Sequence, residues 1–122
     1  MHQILIVEDN EKNMKLVRDV LQAKGYGTIE AVTGEDGVRL AMERKPDLIL
    51  MDIQLPGING IEALRQLRAN PETANIPAVA VTASVMQQDR KHITEAGFDG
   101  YLGKPINLKE FLETVRSMLE SR

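Results

Sequence analysis

The sequence predicts an α/β protein built on one parallel sheet with helices on both faces. Short apolar runs alternate with helix-period stretches along the whole chain of 122 residues. Three of these runs contain no polar residue, as expected of strands that are buried on both faces. Strands joined by helices are normally parallel neighbours, because a crossover connection is needed to bring them side by side.

Five predicted strands alternate with five predicted helices. The strands are Ile4–Val7, Tyr26–Ala31, Leu48–Met51, Ala78–Val81 and Tyr101–Leu102. The first helix stops at Lys24-Gly25, and the second runs from Thr33-Gly34-Glu35 to Pro46. The third helix carries Ile61, Leu64 and Leu67. The fourth lies within the polar segment Ser84–Ala96, and the last spans Leu108–Leu119. This pattern predicts a flavodoxin-like doubly wound sheet with strand order 2-1-3-4-5.

Composition narrows the class of protein further. The chain has no cysteine, which excludes disulfides, thiolate metal sites and cysteine nucleophiles. Its net charge of -3 argues against a nucleic-acid partner, and no apolar run approaches the roughly 20 residues that cross a bilayer. We therefore expect a single cytoplasmic domain over residues 1–122.

Polar side chains follow four of the predicted strands. Glu8 and Asp9 follow the first, Asp52 the third and Thr82 the fourth, while Lys104 comes shortly after the fifth. The carboxyl ends of parallel strands share one edge of the sheet, so these side chains should converge there. A simpler alternative is that Asp9 or Asn10 only caps the first helix.

Three carboxylates held close together repel one another, and a divalent cation would relieve the repulsion. Oxygen ligands favour Mg²⁺, and no histidine or cysteine lies at the strand ends to favour zinc. A carboxylate cluster with one lysine and one hydroxyl suits phosphoryl transfer, in which an aspartate can be the nucleophile. Asp52 is the best candidate because it stands alone after a buried strand, whereas Glu8 and Asp9 are adjacent and better placed as ligands.

Four motifs together resemble the receiver domain of two-component response regulators, over nearly the whole chain. They are VEDN at 7–10, MDIQLPGING at 51–60, VTAS at 81–84 and GYLGKP at 100–105. The resemblance implies that Asp52 is the phosphoacceptor, that Lys104 pairs with the phosphoryl group, and that Thr82 hydrogen-bonds it. It also implies that Mg²⁺ is held by Glu8, Asp9, Asp52 and the backbone carbonyl of Gln54.

The same resemblance assigns the parts that transmit the signal. Tyr101 would turn inward when Thr82 moves, and the Lys104-Pro105 bond would be cis. Gln54 and Ser84 would lie near the line of water attack, and because both are uncharged we expect a phosphoryl group that lasts minutes or longer.

The resemblance also implies partners. A phosphohistidine on a sensor kinase or a phosphotransfer protein would be the donor, and the VEDNEKNMKLV stretch is most similar to hybrid-kinase receivers and to stand-alone receivers of bacterial cell-cycle and polarity control. The chain ends at Arg122, directly after the last predicted helix, so we expect no output domain. Output would then pass to a protein partner through the fourth helix, fifth strand and fifth helix.

Three other functions fit part of the pattern. A flavodoxin would share the fold, but it would need a hydroxyl-rich phosphate loop and aromatic rings, whereas aromatics make up 3% of this chain. A haloacid-dehalogenase-type phosphatase would use the same residue types, but its DxD motif should end the first strand. A receiver fold that is not phosphorylated and serves as a docking module is the third. We expect a phosphoacceptor and not an enzyme.

Overall fold

The computed structural model describes residues 2–83 and 87–120, apart from the side chains of residues 87–89. Within these residues five strands alternate with five helices, as predicted. The elements are β1 (Gln3–Val7), α1 (Glu11–Ala23), β2 (Gly27–Ala31), α2 (Gly34–Arg44), β3 (Leu48–Asp52), α3 (Gly60–Ala69), β4 (Ala78–Thr82), α4 (Gln87–Ala96), β5 (Gly100–Gly103) and α5 (Leu108–Glu120). No helix in the described ranges is long and apolar enough to cross a membrane.

The strands form one sheet in the order β2-β1-β3-β4-β5, and every neighbouring pair is parallel. The predicted order 2-1-3-4-5 is therefore confirmed. The chain passes from β1 to one edge and then returns to the other side of β1, so the order reverses between β1 and β3. A crevice forms at such a reversal, outside the carboxyl ends of the two strands.

Both faces of the sheet are covered, which explains the apolar runs. Alternate residues of a strand point to opposite faces, so Leu5 and Val7 pack on one side and Ile4 and Ile6 on the other. Helices α2, α3 and α4 cover the first side, and helices α1 and α5 cover the second. The buried helical residues of the second side are Met14, Val17, Leu21, Phe111, Val115 and Leu119.

Short polar side chains fix the starts of four helices. The side-chain oxygens of Asn10, Thr33, Asn59 and Asn107 accept hydrogen bonds from backbone N–H groups three residues later, at 3.0, 3.0, 2.9 and 3.0 Å. The cap of α1 is thus Asn10 and not Asp9. Helix α1 ends at Ala23 with Lys24 as its C-cap, as predicted. The start of β2 differs by one residue from the prediction: the Tyr26 N–H donates to the Leu21 carbonyl at 3.1 Å, and β2 begins at Gly27.

Arg68 of α3 joins the segment before β4 to the one before β5. Its guanidinium donates to the carbonyls of Ile76 at 2.6 Å, Ala74 at 3.0 Å and Gly97 at 3.0 Å. It also pairs with Asp99 at 3.1 Å, and Asp99 accepts the Ala78 N–H at 2.8 Å. One planar, five-donor group thereby satisfies backbone acceptors from several segments, which an ammonium cannot do with its compact charge.

We expect Arg68→Lys to lower the free energy of unfolding by about 2 kcal/mol, because several charge-assisted hydrogen bonds to backbone carbonyls are lost. Arg65→Lys is the matched control: Arg65 lies on the same helix but is exposed and pairs only with Glu62 among the described residues. Its effect should stay within about 0.5 kcal/mol. Urea unfolding of both variants measures the difference, and equal midpoints would contradict the assigned role of Arg68.

Candidate functional site

Five predicted site residues lie at the carboxyl edge of the sheet. Glu8 directly follows β1, Asp52 is the last residue of β3, Thr82 is the last of β4, and Lys104 directly follows β5. Asp9 comes one residue after Glu8. Glu8 and Asp52 therefore flank the crevice where the strand order reverses, and they reach it because parallel pairing ends all these strands on one side.

Glu8, Asp9 and Asp52 form one acidic cluster. Each offers a carboxylate oxygen, and these oxygens lie within 4.8 Å of one another. Glu8 and Asp52 are buried, with 4% of each residue exposed, whereas Asp9 is exposed. Buried carboxylates this close carry a large electrostatic cost unless positive charge is near.

Lys104 supplies positive charge to two of the three carboxylates. Its Nζ lies 3.0 Å from Glu8 Oε1 and 3.0 Å from Asp52 Oδ2. The Lys104 backbone N–H donates to the Thr82 carbonyl at 2.9 Å, which fixes the start of the side chain beside β4. The Lys104-Pro105 bond is cis, which confirms the expectation for this bond.

One ammonium shared between two buried carboxylates leaves negative charge in excess. Burial raises the pKa of Glu8 above its ordinary 4.5, and the neighbouring Asp52 adds to this effect, so that the pair with Lys104 does not fully compensate. Because the folded state binds this proton more tightly than the unfolded state, the contribution of Glu8 to stability is present at low pH. It is lost as the pH rises through the raised value.

The pKa of Lys104 is also raised, but its cause is the contact with the two carboxylates and not burial. Burial alone would lower it, but hydrogen bonds to Asp52 and Glu8 outweigh burial and raise the pKa above 10.5. The ammonium therefore keeps its charge throughout the physiological range. The site contains one permanent cation and three carboxylates.

Local turns orient the two buried carboxylates. Glu8 Oε2 accepts the N–H of Asn10 at 3.2 Å, and Asp52 Oδ1 accepts the N–H of Gln54 at 3.0 Å. Since Asn10 caps α1, Asp9 is not needed as the cap, which answers the simpler alternative raised by the sequence. Asp9 is left at the rim of the cluster, exposed to solvent.

Helix α2 supports the loop that follows Asp52, a feature that the sequence pattern did not reveal. A Cβ on Gly34, the first residue of α2, would lie 2.6 Å from the Ile58 carbonyl oxygen. At the end of the same loop, a Cβ on Gly60, the first residue of α3, would collide with the Asp52 carbonyl oxygen. The N–H of Ile58 donates to Glu35 Oε2 at 3.4 Å. These close contacts between distant segments hold the loop that carries Gln54 in place.

The predicted signalling residues have distinct environments. Thr82 is buried, with 3% of the residue exposed, and Tyr101 is half-buried against the core that α2, α3 and α4 cover. The guanidinium carbon of Arg90 lies 5.1 Å from the centre of the Tyr101 ring. Gln54 is exposed next to Asp52, and Ser84 lies outside the described residues.

The donor set suits a hard divalent cation. All side-chain ligands offered by the cluster are carboxylate oxygens, which match Mg²⁺ better than softer metals. A divalent cation bound there would offset the negative charge that Lys104 leaves uncompensated. With Lys104 beside Asp52, the site can also receive a group that brings further negative charge.

Comparison with known proteins gives the class that this fold and site define. The sequence model of the response regulator receiver domain matches residues 4–116, and the chain belongs to this family. The resemblance stated from the four motifs is confirmed. Aspartate phosphorylation and Mg²⁺ binding are general features of the family.

Individual relatives add detail. The chain is 47% identical over 116 residues to the polar-differentiation response regulator DivK of Brucella anthropi, covering 95% of this chain and 94% of the relative. The receiver domain of a sensor histidine kinase from Pseudomonas aeruginosa, solved with magnesium in its active-site cleft, is 34% identical with a TM-score of 0.91 and covers 98% of each chain. A CheY-like receiver from Methanospirillum hungatei is 26% identical, with a TM-score of 0.92 over 99% of this chain and 95% of the other.

Removing one carboxylate should stabilise the metal-free protein. We expect Asp9→Asn to raise the melting temperature in EDTA by about 2–4 °C, because it relieves repulsion within the cluster without breaking the Lys104 pairs. Glu113→Gln, an exposed carboxylate of α5, is the control and should leave the melting temperature nearly unchanged. A lower melting temperature for Asp9→Asn would show that the Asp9 carboxylate stabilises the metal-free fold more than its repulsion destabilises it.

Proposed function

We propose that this chain is a response regulator of a two-component phosphorelay in which Asp52 accepts a phosphoryl group. The observation that carries the proposal is the placement of Lys104 between Glu8 and Asp52 at the reversal of strand order, with Asp9 at the rim. This geometry joins a nucleophilic carboxylate, a fixed cation and a set of oxygen ligands in one crevice.

Glu8, Asp9, Asp52 and the backbone carbonyl of Gln54 would hold Mg²⁺. When bound, the ion offsets negative charge on the incoming phosphoryl oxygens. The turn after Asp52 supports this assignment, since the N–H of Gln54 is tied to Asp52 Oδ1 and the loop is held by α2.

In the transfer, a carboxylate oxygen of Asp52 attacks the phosphorus of a phosphohistidine. The phosphorus–nitrogen bond breaks, the bonding electrons stay with the imidazole, and an acyl phosphate forms on Asp52. Lys104 already contacts Asp52 and keeps its proton, so its ammonium is in position to pair with the added phosphoryl oxygens. Thr82, at the end of the adjacent strand, would hydrogen-bond one of these oxygens.

The signal would pass from the site to the face formed by α4, β5 and α5. Thr82 ends β4 and Tyr101 lies on β5, so a small shift at the carboxyl edge reaches the face through neighbouring strands. Within residues 90–96 of α4 only Ile93 is buried, so repacking this helix disturbs little of the core. A downstream protein partner would bind the altered face.

Similarity to a polar-differentiation regulator favours a place in a kinase network that controls cell polarity or division. We propose that the protein acts in the cytoplasm as a single domain over residues 1–122. Its phosphoryl donor is a sensor kinase or a histidine phosphotransfer protein. The uncharged side chain at Gln54 favours a phosphoryl group that lasts minutes or longer.

Intact mass spectrometry tests the acceptor directly. With Mg²⁺ and acetyl phosphate, the wild type should gain one phosphoryl group, about 80 Da, whereas Asp52→Asn should gain nothing. Asp36→Asn, which alters an exposed aspartate of α2, should be phosphorylated like the wild type. Uptake that persists in EDTA or in Asp52→Asn would contradict the proposal, and no uptake by a wild type that still binds its partner would favour the docking module.

Amide exchange tests the output face. Addition of beryllofluoride with Mg²⁺ should change the exchange of α4 and β5, because these elements repack when the site is filled, and should leave the amides of α2 at their original rates. The same additions to Asp52→Asn are the control. Equal exchange of α4 in the two states would exclude it as the responding element.

A further inference from the structure

Arg90 of α4 covers the ring of Tyr101. The guanidinium carbon lies 5.1 Å from the ring centre, within the range of a cation–π interaction. Arg90 is exposed and Tyr101 is half-buried, so the guanidinium lies on the solvent side of a ring whose other side meets the core. The contact joins α4 to β5 directly.

This contact adds to a small buried anchor of α4 within residues 90–96. Among residues 90–96, Ile93 is the only fully buried side chain, and Ala96 is half-buried. Helix α5 on the opposite face buries Phe111, Val115 and Leu119. A single interaction of moderate strength therefore has more influence on the position of α4 than it would have on α5.

Tyr101 is linked to the site through the backbone. It pairs in register with Ala80, and Gly103 pairs with Thr82, so the ring is three residues from Lys104 along a strand bonded to β4. Lys104 in turn contacts Asp52. A contact that fixes Tyr101 can thus bias the geometry at the carboxyl edge.

We infer that Arg90 is a positioning residue that holds the Tyr101 ring in its resting place and thereby opposes the conformational change that follows phosphorylation. The inference rests on the proposed function, in which Tyr101 turns inward. A ring that moves must give up its contact with Arg90, and an interaction present in only one of two states shifts their equilibrium toward that state. Neither the family match nor the relatives assign a role to Arg90.

Removing the positive charge of Arg90 should weaken its hold on the Tyr101 ring. Arg90→Met keeps an unbranched apolar stem without the cation, and Arg90→Lys keeps a cation. We expect Arg90→Met to bind beryllofluoride about two- to fivefold more tightly than the wild type, the factor that corresponds to one exposed cation–π contact. Arg90→Lys should lie between the two, and Lys91→Met, on an exposed neighbour, should match the wild type.

Quenching of tyrosine fluorescence measures how exposed the Tyr101 ring is to solvent. The chain has no tryptophan and two tyrosines, so Tyr26→Phe leaves Tyr101 as the one intrinsic fluorophore of this type. In that background, without beryllofluoride, acrylamide should quench Tyr101 less strongly in Arg90→Met than in Arg90→Lys or Lys91→Met, because a ring released from Arg90 spends more time turned inward. A general loss of folding would instead lower the melting temperature, which is measured in parallel.

The outcomes separate this inference from the proposed function. If the background protein binds beryllofluoride with Mg²⁺ while Arg90→Met matches it in affinity and in quenching, the role of Arg90 is overturned and the phosphoacceptor function stands. If the background protein and the wild type both fail to bind beryllofluoride, the proposed function fails, and the positioning role fails with it. Tighter binding together with weaker quenching in Arg90→Met supports both.

Discussion

The ion-pair arrangement of Lys104 with Glu8 and Asp52 is the constraint on which the site depends. Two buried carboxylates share one ammonium, with a third carboxylate at the rim, so the crevice keeps an excess of negative charge. Burial raises the pKa of Glu8, and the nearby carboxylate of Asp52 adds to the effect. The excess of negative charge also explains the fit to a hard divalent cation. Complete neutralisation by a second lysine would remove the reason to bind a cation.

The fold supplies this arrangement by ending neighbouring parallel strands at one edge. Both faces of the central strands β1, β3 and β4 are buried, so their position is fixed by packing, and the polar residues of these strands lie at their ends. Arg68 holds the segments that lead into β4 and β5, and the α2 contacts hold the loop that leaves β3 after Asp52. Connections at both edges of the sheet are thereby tied to neighbouring helices.

Helix α4 is built differently from the rest of the molecule. Its described side chains are mostly exposed, and the Arg90–Tyr101 contact joins it to the strand that leads to Lys104. An element with a small buried surface changes position at low energetic cost, whereas α5 is held by a full apolar stripe. This contrast between a fixed sheet and a lightly held helix is what a receiver needs in order to convert local chemistry into a change of surface.

The sequence by itself determined the alternation of strands and helices, the strand order and the edge at which Glu8, Asp52 and Lys104 meet, because period and parallel connection are local properties with few topological solutions. It left the cap of α1 open between two neighbours, and the tertiary structure assigned it to Asn10. Only the folded structure showed that one lysine contacts two carboxylates, that Arg68 joins the segments before β4 and β5, and that Arg90 covers Tyr101. These contacts join residues as far apart in the chain as Glu8 and Lys104, and no local pattern encodes which side chains meet across such a distance.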